Sequence, residues 1–191
     1  MNKGKADNPH QGYVNELYTM GWKLNSGQAQ AVAQARRQLA RFRRSLTEDR
    51  YIDDVYDVLL KFERIPAAHE GPCLLIGGLY ALHPDNGTSS PKRWPLCAAL
   101  AESSSAEARV RQLIGASQTS NEALEHYLRQ AVRLVSRAPE QRPLDYNQLL
   151  WDLIHLSSGD ETRARPVRRR WARDFRHQVH TSQTSDKKDA T

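Results

Sequence analysis

Arginine is the residue type whose spacing stands out. Arg36, Arg37, Arg41, Arg43 and Arg44 fall within nine residues with no intervening acid. Between Arg163 and Arg176 there are seven arginines and one acid, Asp174. A guanidinium fork matches phosphate oxygens better than the point charge of lysine does. Helical spacing puts several of each set on one face, and such a face can neutralise successive phosphates without reading bases. An exposed arginine can also simply solubilise a helix or cover apolar surface with its stem. Arginine codons are also favoured where G and C abound. Two separate clusters nevertheless point to a polyanionic partner.

Other candidate chemistry is weaker. Asp53, Asp54 and Asp57 form the densest carboxylate cluster, of a kind that can hold a divalent cation, but they read as a solvated helix face. His177 and His180 have metal-ligand spacing, yet they lie near a helix end where histidine also suits the dipole. The remaining histidines are isolated in sequence. No phosphate-binding glycine loop, HExxH or GxSxG motif occurs, so no catalytic residue, cofactor or metal is expected. Nor is there an RNP-type aromatic motif, a zinc finger or a clear helix-turn-helix, so base-specific readout is not expected either.

The whole chain agrees with this reading. Its 191 residues carry 28 Lys and Arg against 22 Asp and Glu, a formal net charge of +6. The isoelectric point is near 9.5 and the mean hydropathy is −0.74. Cys73 and Cys97 sit in apolar surroundings without a CxxC, as reduced core residues do. The polar start and the lack of an apolar run of about 18 residues predict a cytoplasmic protein with no membrane segment.

Period-3.6 patterns dominate, so the expected fold is all-α, a helical bundle in two lobes. Polar, aperiodic stretches predict disordered tails over 1–12 and 179–191. The N-terminal helical lobe is expected over 13–83, a loop over 84–93 and the C-terminal helical lobe over 94–178.

Within the first lobe, Tyr13, Leu17, Tyr18 and Trp22 mark a short helix over 13–24. Val32, Ala35, Leu39, Phe42 and Leu46 form the core stripe of a helix over 27–45. Arg37, Arg41 and Arg44 fall opposite that stripe, while Arg36 and Arg43 flank it. Ile52, Val55, Tyr56, Leu59 and Phe62 predict a helix over 50–63. The apolar run Cys73–Leu82 predicts a buried helix in which Gly77 and Gly78 admit a close neighbour.

In the second lobe, Ser104-x-x-Glu107 and Thr119-x-x-Glu122 look like capping boxes. Pro143 is expected to open a helix with Tyr146, Leu149, Leu150 and Leu153 inward. In a last helix over about 160–178, Val167, Trp171 and Phe175 face the core. Arg165, Arg169, Arg173 and Arg176 face away from it.

The ordered segments WPLCAALAES, ARVRQLIGAS, LRQAVRLV and PLDYNQLLWDLIHLSSGDETRARPVRRRWARDF resemble the CasB family over about residues 92–178. The arginine helix LARFRRSL adds weaker support. That family is the small subunit of the type I-E CRISPR surveillance complex Cascade. The resemblance implies an all-helical, non-catalytic subunit present in two copies. It implies as partners CRISPR RNA, target and non-target DNA, and the large and backbone subunits. The role implied is antiviral defence, by stabilising the R-loop through sequence-independent contacts to RNA and DNA backbones.

Arg109 falls where the family has a basic residue before QLI, and Arg43 and Arg44 match a basic pair. Lys92 and Arg93 must supply the basic character of the turn before Trp94, because Cys97 stands in its Gly-Arg region. The candidate contacts are therefore Arg36, Arg37, Arg41, Arg43, Arg44, Lys92, Arg93, Arg109, Arg111, Arg165, Arg169, Arg173 and Arg176. Trp94 and Trp171 could stack on bases, although Trp171 lies on the core stripe. A stand-alone helical DNA-binding protein and a structural adaptor subunit are the competing readings.

Overall fold

The computed structural model describes residues 8–85, 92–103, 105–140 and 142–189. Among these the structure is all α, with an isolated bridge between Trp94 and Leu144 as its one extended pairing. The chain divides into two compact units, Met1–Pro91 and Lys92–Thr191. The stretches expected to be unstructured at residues 1–7, 86–91, 190 and 191 lie outside the described residues, as does Ser104.

The first unit contains α1 (Pro9–Leu24), α2 (Ala29–Ser45), α3 (Asp53–Leu59) and α4 (Ala67–Leu82), with 3-10 turns at Asp49–Tyr51 and Leu60–Phe62. Helix α1 starts earlier than its apolar pattern suggests. The Asn8 side chain caps the His10 N–H and Pro9 occupies the first turn, where its missing N–H costs nothing. Trp22, expected on the inner stripe, is 60% exposed. Gly21 takes the inward position instead, because a Cβ there would meet the Tyr80 hydroxyl and the Asp85 carbonyl.

The helix expected over 50–63 is broken into α3 and its two flanking 3-10 turns. Val55, Val58 and Leu59 are its buried residues. Helix α4 begins six residues before the apolar run, at Ala67. Gly71 and Pro72 look like breakers in the sequence. Pro72, however, lies early enough in α4 that only the bond to the Ala68 carbonyl is lost.

The two glycines of α4 do admit a close neighbour. A Cβ on Gly77 would lie 2.3 Å from the Phe42 ring and 2.6 Å from the Tyr13 hydroxyl. A Cβ on Gly78 would lie 2.2 Å from the Leu46 side chain. Tyr13, Leu39, Phe42, Ile76 and Leu79 are fully or almost fully buried around this contact. The Tyr13 hydroxyl donates to the Cys73 carbonyl at 2.8 Å, joining α1 to α4 as well.

The second unit contains α5 (Leu96–Leu100), α6 (Ala106–Ala116), α7 (Asn121–Ser136), α8 (Tyr146–Ser157) and α9 (Glu161–Asp189). Every residue of α5 is buried, and α5 packs on α9. The strand-like bridge aligns the turn before α5 with the turn before α8. Trp94 N–H donates to the Pro143 carbonyl at 2.8 Å, and Asp145 N–H donates to the Trp94 carbonyl at 2.9 Å.

Three helix starts in this unit differ from expectation by one or a few residues. Ser120, not Thr119, caps α7 by accepting from Ala123 N–H. Asp145 caps α8 by accepting from Gln148 N–H, so Pro143 lies in the preceding turn. At α6 the cap position is Ser105, which makes no side-chain capping bond. Helix α9 continues to Asp189, through the stretch expected as a tail. That stretch is poor in apolar residues, but from 167 to 189 the chain also lacks Gly and Pro. A helix already nucleated adds one backbone bond per further residue.

Gly77→Ala is expected to destabilise the protein by about 1–2 kcal/mol, overpacking against Phe42 outweighing the gain in helix propensity. Gly115, in the helix Ala106–Ala116, is exposed and has open space around it. Gly115→Ala is expected to stabilise by up to about 1 kcal/mol. Urea unfolding of the two variants checks the opposite signs.

Candidate nucleic-acid interface

The rotation of α2 determines where its arginines lie. With Ala35, Leu39 and Phe42 buried, Arg36, Arg37, Arg43 and Arg44 are exposed and Arg41 is half-exposed. Arg36, Arg37 and Arg41 have no ion-pair or hydrogen-bond partner among the described residues. Arg43 is held by a neutral group: its Nε donates to the Ala81 carbonyl at 2.7 Å. That carbonyl is one of the last four of α4, which lack helical donors. The Arg44 guanidinium lies 5.2 Å from the centre of the Tyr51 ring, with Arg50 at 4.8 Å.

Helix α9 is less basic in space than in sequence. Val167, Trp171 and Phe175 are buried. Arg165 and Arg169, one turn apart, are exposed without partners among the described residues. The other five arginines of the 163–176 stretch meet carboxylates. Arg163 pairs with Asp160 at 3.2 Å and Arg173 with Asp174 at 3.6 Å. Arg176 pairs with Glu107 at 2.7 Å. Arg168 pairs with Glu161, and Arg170 with Asp152.

Asp152 fixes α9 against α8. It is 2% exposed and accepts from the Trp171 indole N–H at 2.6 Å as well as from Arg170. Trp171 is therefore a structural residue and offers no face for stacking. Burial raises the Asp152 carboxyl to about 6, and the Asp174 charge adds to the rise. The Trp171 N–H and Arg170 oppose it.

At α6, Glu107 is shared between Arg111, at 2.9 Å, and Arg176. These two cations hold the Glu107 carboxyl below its usual range, Arg176 contributing most. Arg109 takes a different environment: its Nη1 donates to Gln130 at 2.6 Å and to Gln112 at 3.1 Å. Lys92 is exposed, with its ammonium 4.2 Å from the centre of the half-buried Trp94 ring. Arg142, 4.0 Å from the same ring, is held by Glu102 and Glu140. Arg93 is half-buried and engaged within the protein.

Two further cations were hidden in sequence by their apolar neighbours. Arg133 and Arg137, one turn apart at the end of α7, are exposed without partners among the described residues. Their signal was the i, i+4 spacing opposite the stripe of Leu124, Leu128, Ala131 and Val135.

One histidine pair is not isolated. His10 Nε2 lies 3.0 Å from His69 Nδ1, and His10 Nδ1 meets the Asn8 side-chain oxygen at 3.1 Å. Since that oxygen only accepts, His10 Nδ1 carries its proton and His69 donates to His10 Nε2. Burial, then His69, lowers the His10 pKa. Among the described residues no three His, Cys, Asp or Glu side chains converge as metal ligands. The Cys73 thiol is buried and pushed up to about 12 by desolvation. Among the described residues no helix is long and apolar enough to cross a membrane.

These features define an all-α protein of two compact units with exposed arginine faces. The family model described as CRISPR-associated protein Cse2 matches residues 38–175, and the chain belongs to that family. Solved structures share the fold. CasB from Thermobifida fusca matches with a TM-score of 0.59 at 24% identity, over 87% of this chain and 94% of its own. CasB from Thermus thermophilus matches with 0.59 at 27% identity, over 88% and 98%. M. ruber CasB matches with 0.57 at 24% identity, over 92% and 97%. No curated protein matches the chain.

The raised Asp152 pKa has a definite sign in stability. A carboxyl that binds its proton more tightly when folded stabilises the fold fully below the unfolded value of about 4, and that contribution is lost as pH rises through about 6. Asp152→Asn is therefore expected to flatten the pH-dependence of stability between about pH 4 and 6, by about 2 kcal/mol. Urea unfolding of both proteins across this window checks it.

Proposed function

We propose that this protein is a non-catalytic nucleic-acid-binding subunit of an RNA-guided CRISPR complex of the type I-E Cascade kind, acting in the cytoplasm. It stabilises CRISPR RNA and R-loop DNA by contacts to their backbones. Its partners are the large and backbone subunits and a second copy of itself. The observation that carries this reading is a group of arginines with no partner among the described residues: exposed Arg36 and Arg37 and half-exposed Arg41 on α2, and exposed Arg165 and Arg169 on α9. Membership of the Cse2 family supports the CRISPR setting.

Such cations suit a polymer that repeats one charged group. They bind phosphates without distinguishing bases, and base pairing to the guide supplies sequence choice. Arg111, Arg173 and Arg176 contribute less, because each already neutralises a carboxylate. Arg43 combines roles, since its Nε satisfies a buried helix end while its remaining N–H groups are available to phosphate. Arg44 and Lys92 lie against aromatic rings and keep their charge. Arg93 is turned partly inward.

Affinity for random-sequence single strands should fall steeply with salt, by a log–log slope of about 0.7 per phosphate engaged. The combined variant Arg36→Gln, Arg37→Gln, Arg165→Gln, Arg169→Gln should lower that slope by about two to three, with little change in unfolding midpoint. In a reconstituted complex the same variant should shorten the R-loop lifetime. An unchanged lifetime would overturn the reading. Recovery of a base motif from random duplexes would favour a stand-alone DNA-binding protein. Absence of binding even at low salt would favour an adaptor.

A further inference from the structure

Arg109 is surrounded by neutral acceptors. Its Nη1 is anchored from two sides, by Gln112 one turn along α6 and by Gln130 on α7. Gln130 is itself oriented: its Nε2 lies 2.6 Å from His126 Nε2. A carboxamide nitrogen only donates, so His126 accepts there and the Gln130 oxygen is left turned toward Arg109. This chain of neutral groups fixes the guanidinium without neutralising it, whereas Arg111, on a different face of α6, shares the Glu107 carboxylate with Arg176. The Nε–Nη2 edge of Arg109, suited to a bidentate phosphate contact, has no partner among the described residues.

We infer that Gln112 and Gln130, with His126 behind Gln130, are positioning residues that hold the Arg109 guanidinium, charge intact, as a fixed contact for one backbone phosphate. The inference rests on the proposed binding of nucleic acid and adds to it the residues that preorganise this contact. Preorganisation lowers the ordering entropy that a long side chain loses on binding.

Two measurements separate the parts. Nitrogen-15 NMR of the free full-length protein reads the hold directly: Arg109 Nη signals should show hindered rotation in the wild type and lose it in Gln130→Leu. Anisotropy with a fluorescein-labelled single-stranded DNA of random sequence reads the contact. Arg109→Gln should weaken binding about fivefold at about 0.1 M salt and lower the salt slope by about 0.7.

Gln130→Glu keeps a hold on Arg109 but cancels its charge, so it should weaken binding as much as Arg109→Gln does. The double variant should then bind no worse than either single one. Gln130→Leu should weaken binding by a smaller factor with the salt slope unchanged. Additive losses in the double variant would show a general charge effect and overturn the proposal. So would freely rotating Arg109 nitrogens in the wild type. An unaltered affinity in Arg109→Gln, with the four-arginine variant still impaired, would overturn this contact while leaving the wider reading intact.

Discussion

The close approach of α2 to α4 is the contact on which the first unit depends. Gly77 and Gly78 leave a trough that receives Phe42 and Leu46, and no side chain larger than hydrogen fits there. Once Phe42 is seated, the rotation of α2 is set, and Arg36 and Arg37 have to face outward. The same seating brings Arg43 Nε to the Ala81 carbonyl. One packing event thus buries the core, satisfies a helix end and orients the basic face. Tyr13, bonded to the Cys73 carbonyl, ties α1 into the same arrangement.

Asp152 has the comparable role in the second unit. A buried carboxylate is costly unless it is hydrogen-bonded and paired, and here it accepts from Trp171 and Arg170 together. Those two residues are adjacent on α9, so their contact fixes both the rotation and the height of that helix against α8. Arg169 and Arg165 are then directed outward. An arginine and a tryptophan that look like binding residues by composition are consumed in positioning their neighbours.

Charge on these surfaces is sorted by what each guanidinium touches. Carboxylates hold Arg111, Arg173 and Arg176, and such exposed pairs add little to stability while reducing the field offered to a polyanion. Carbonyl and carboxamide oxygens hold Arg43 and Arg109 and leave their charge intact. Arg36, Arg37, Arg41, Arg165 and Arg169 are held by nothing charged among the described residues. Counter-ion release on binding a phosphate polymer depends on the last two groups.

The all-α class and the core stripes of α2 and α9 were legible in the sequence, because apolar residues at period 3.6 encode a face wherever they occur. The same holds for the need for small residues at Gly77 and Gly78. The resemblance of residues 92–178 to a known family was also a property of the sequence alone. Helix ends were less legible, since Asn8, Ser120 and Asp145 act through single capping bonds that compete with nearby alternatives such as Thr119. The partial cancellation of the 163–176 arginines was not legible. Asp160, Glu161 and Asp174 are local to that stretch, but Glu107 and Asp152 lie on other helices, and only packing brings them to Arg176 and Arg170. Sequence spacing determined which residues share a helix face. Tertiary structure decided which of those charges remain unneutralised, because neutralisation depends on distance in space: attraction weakens with separation and salt screens it over about 10 Å.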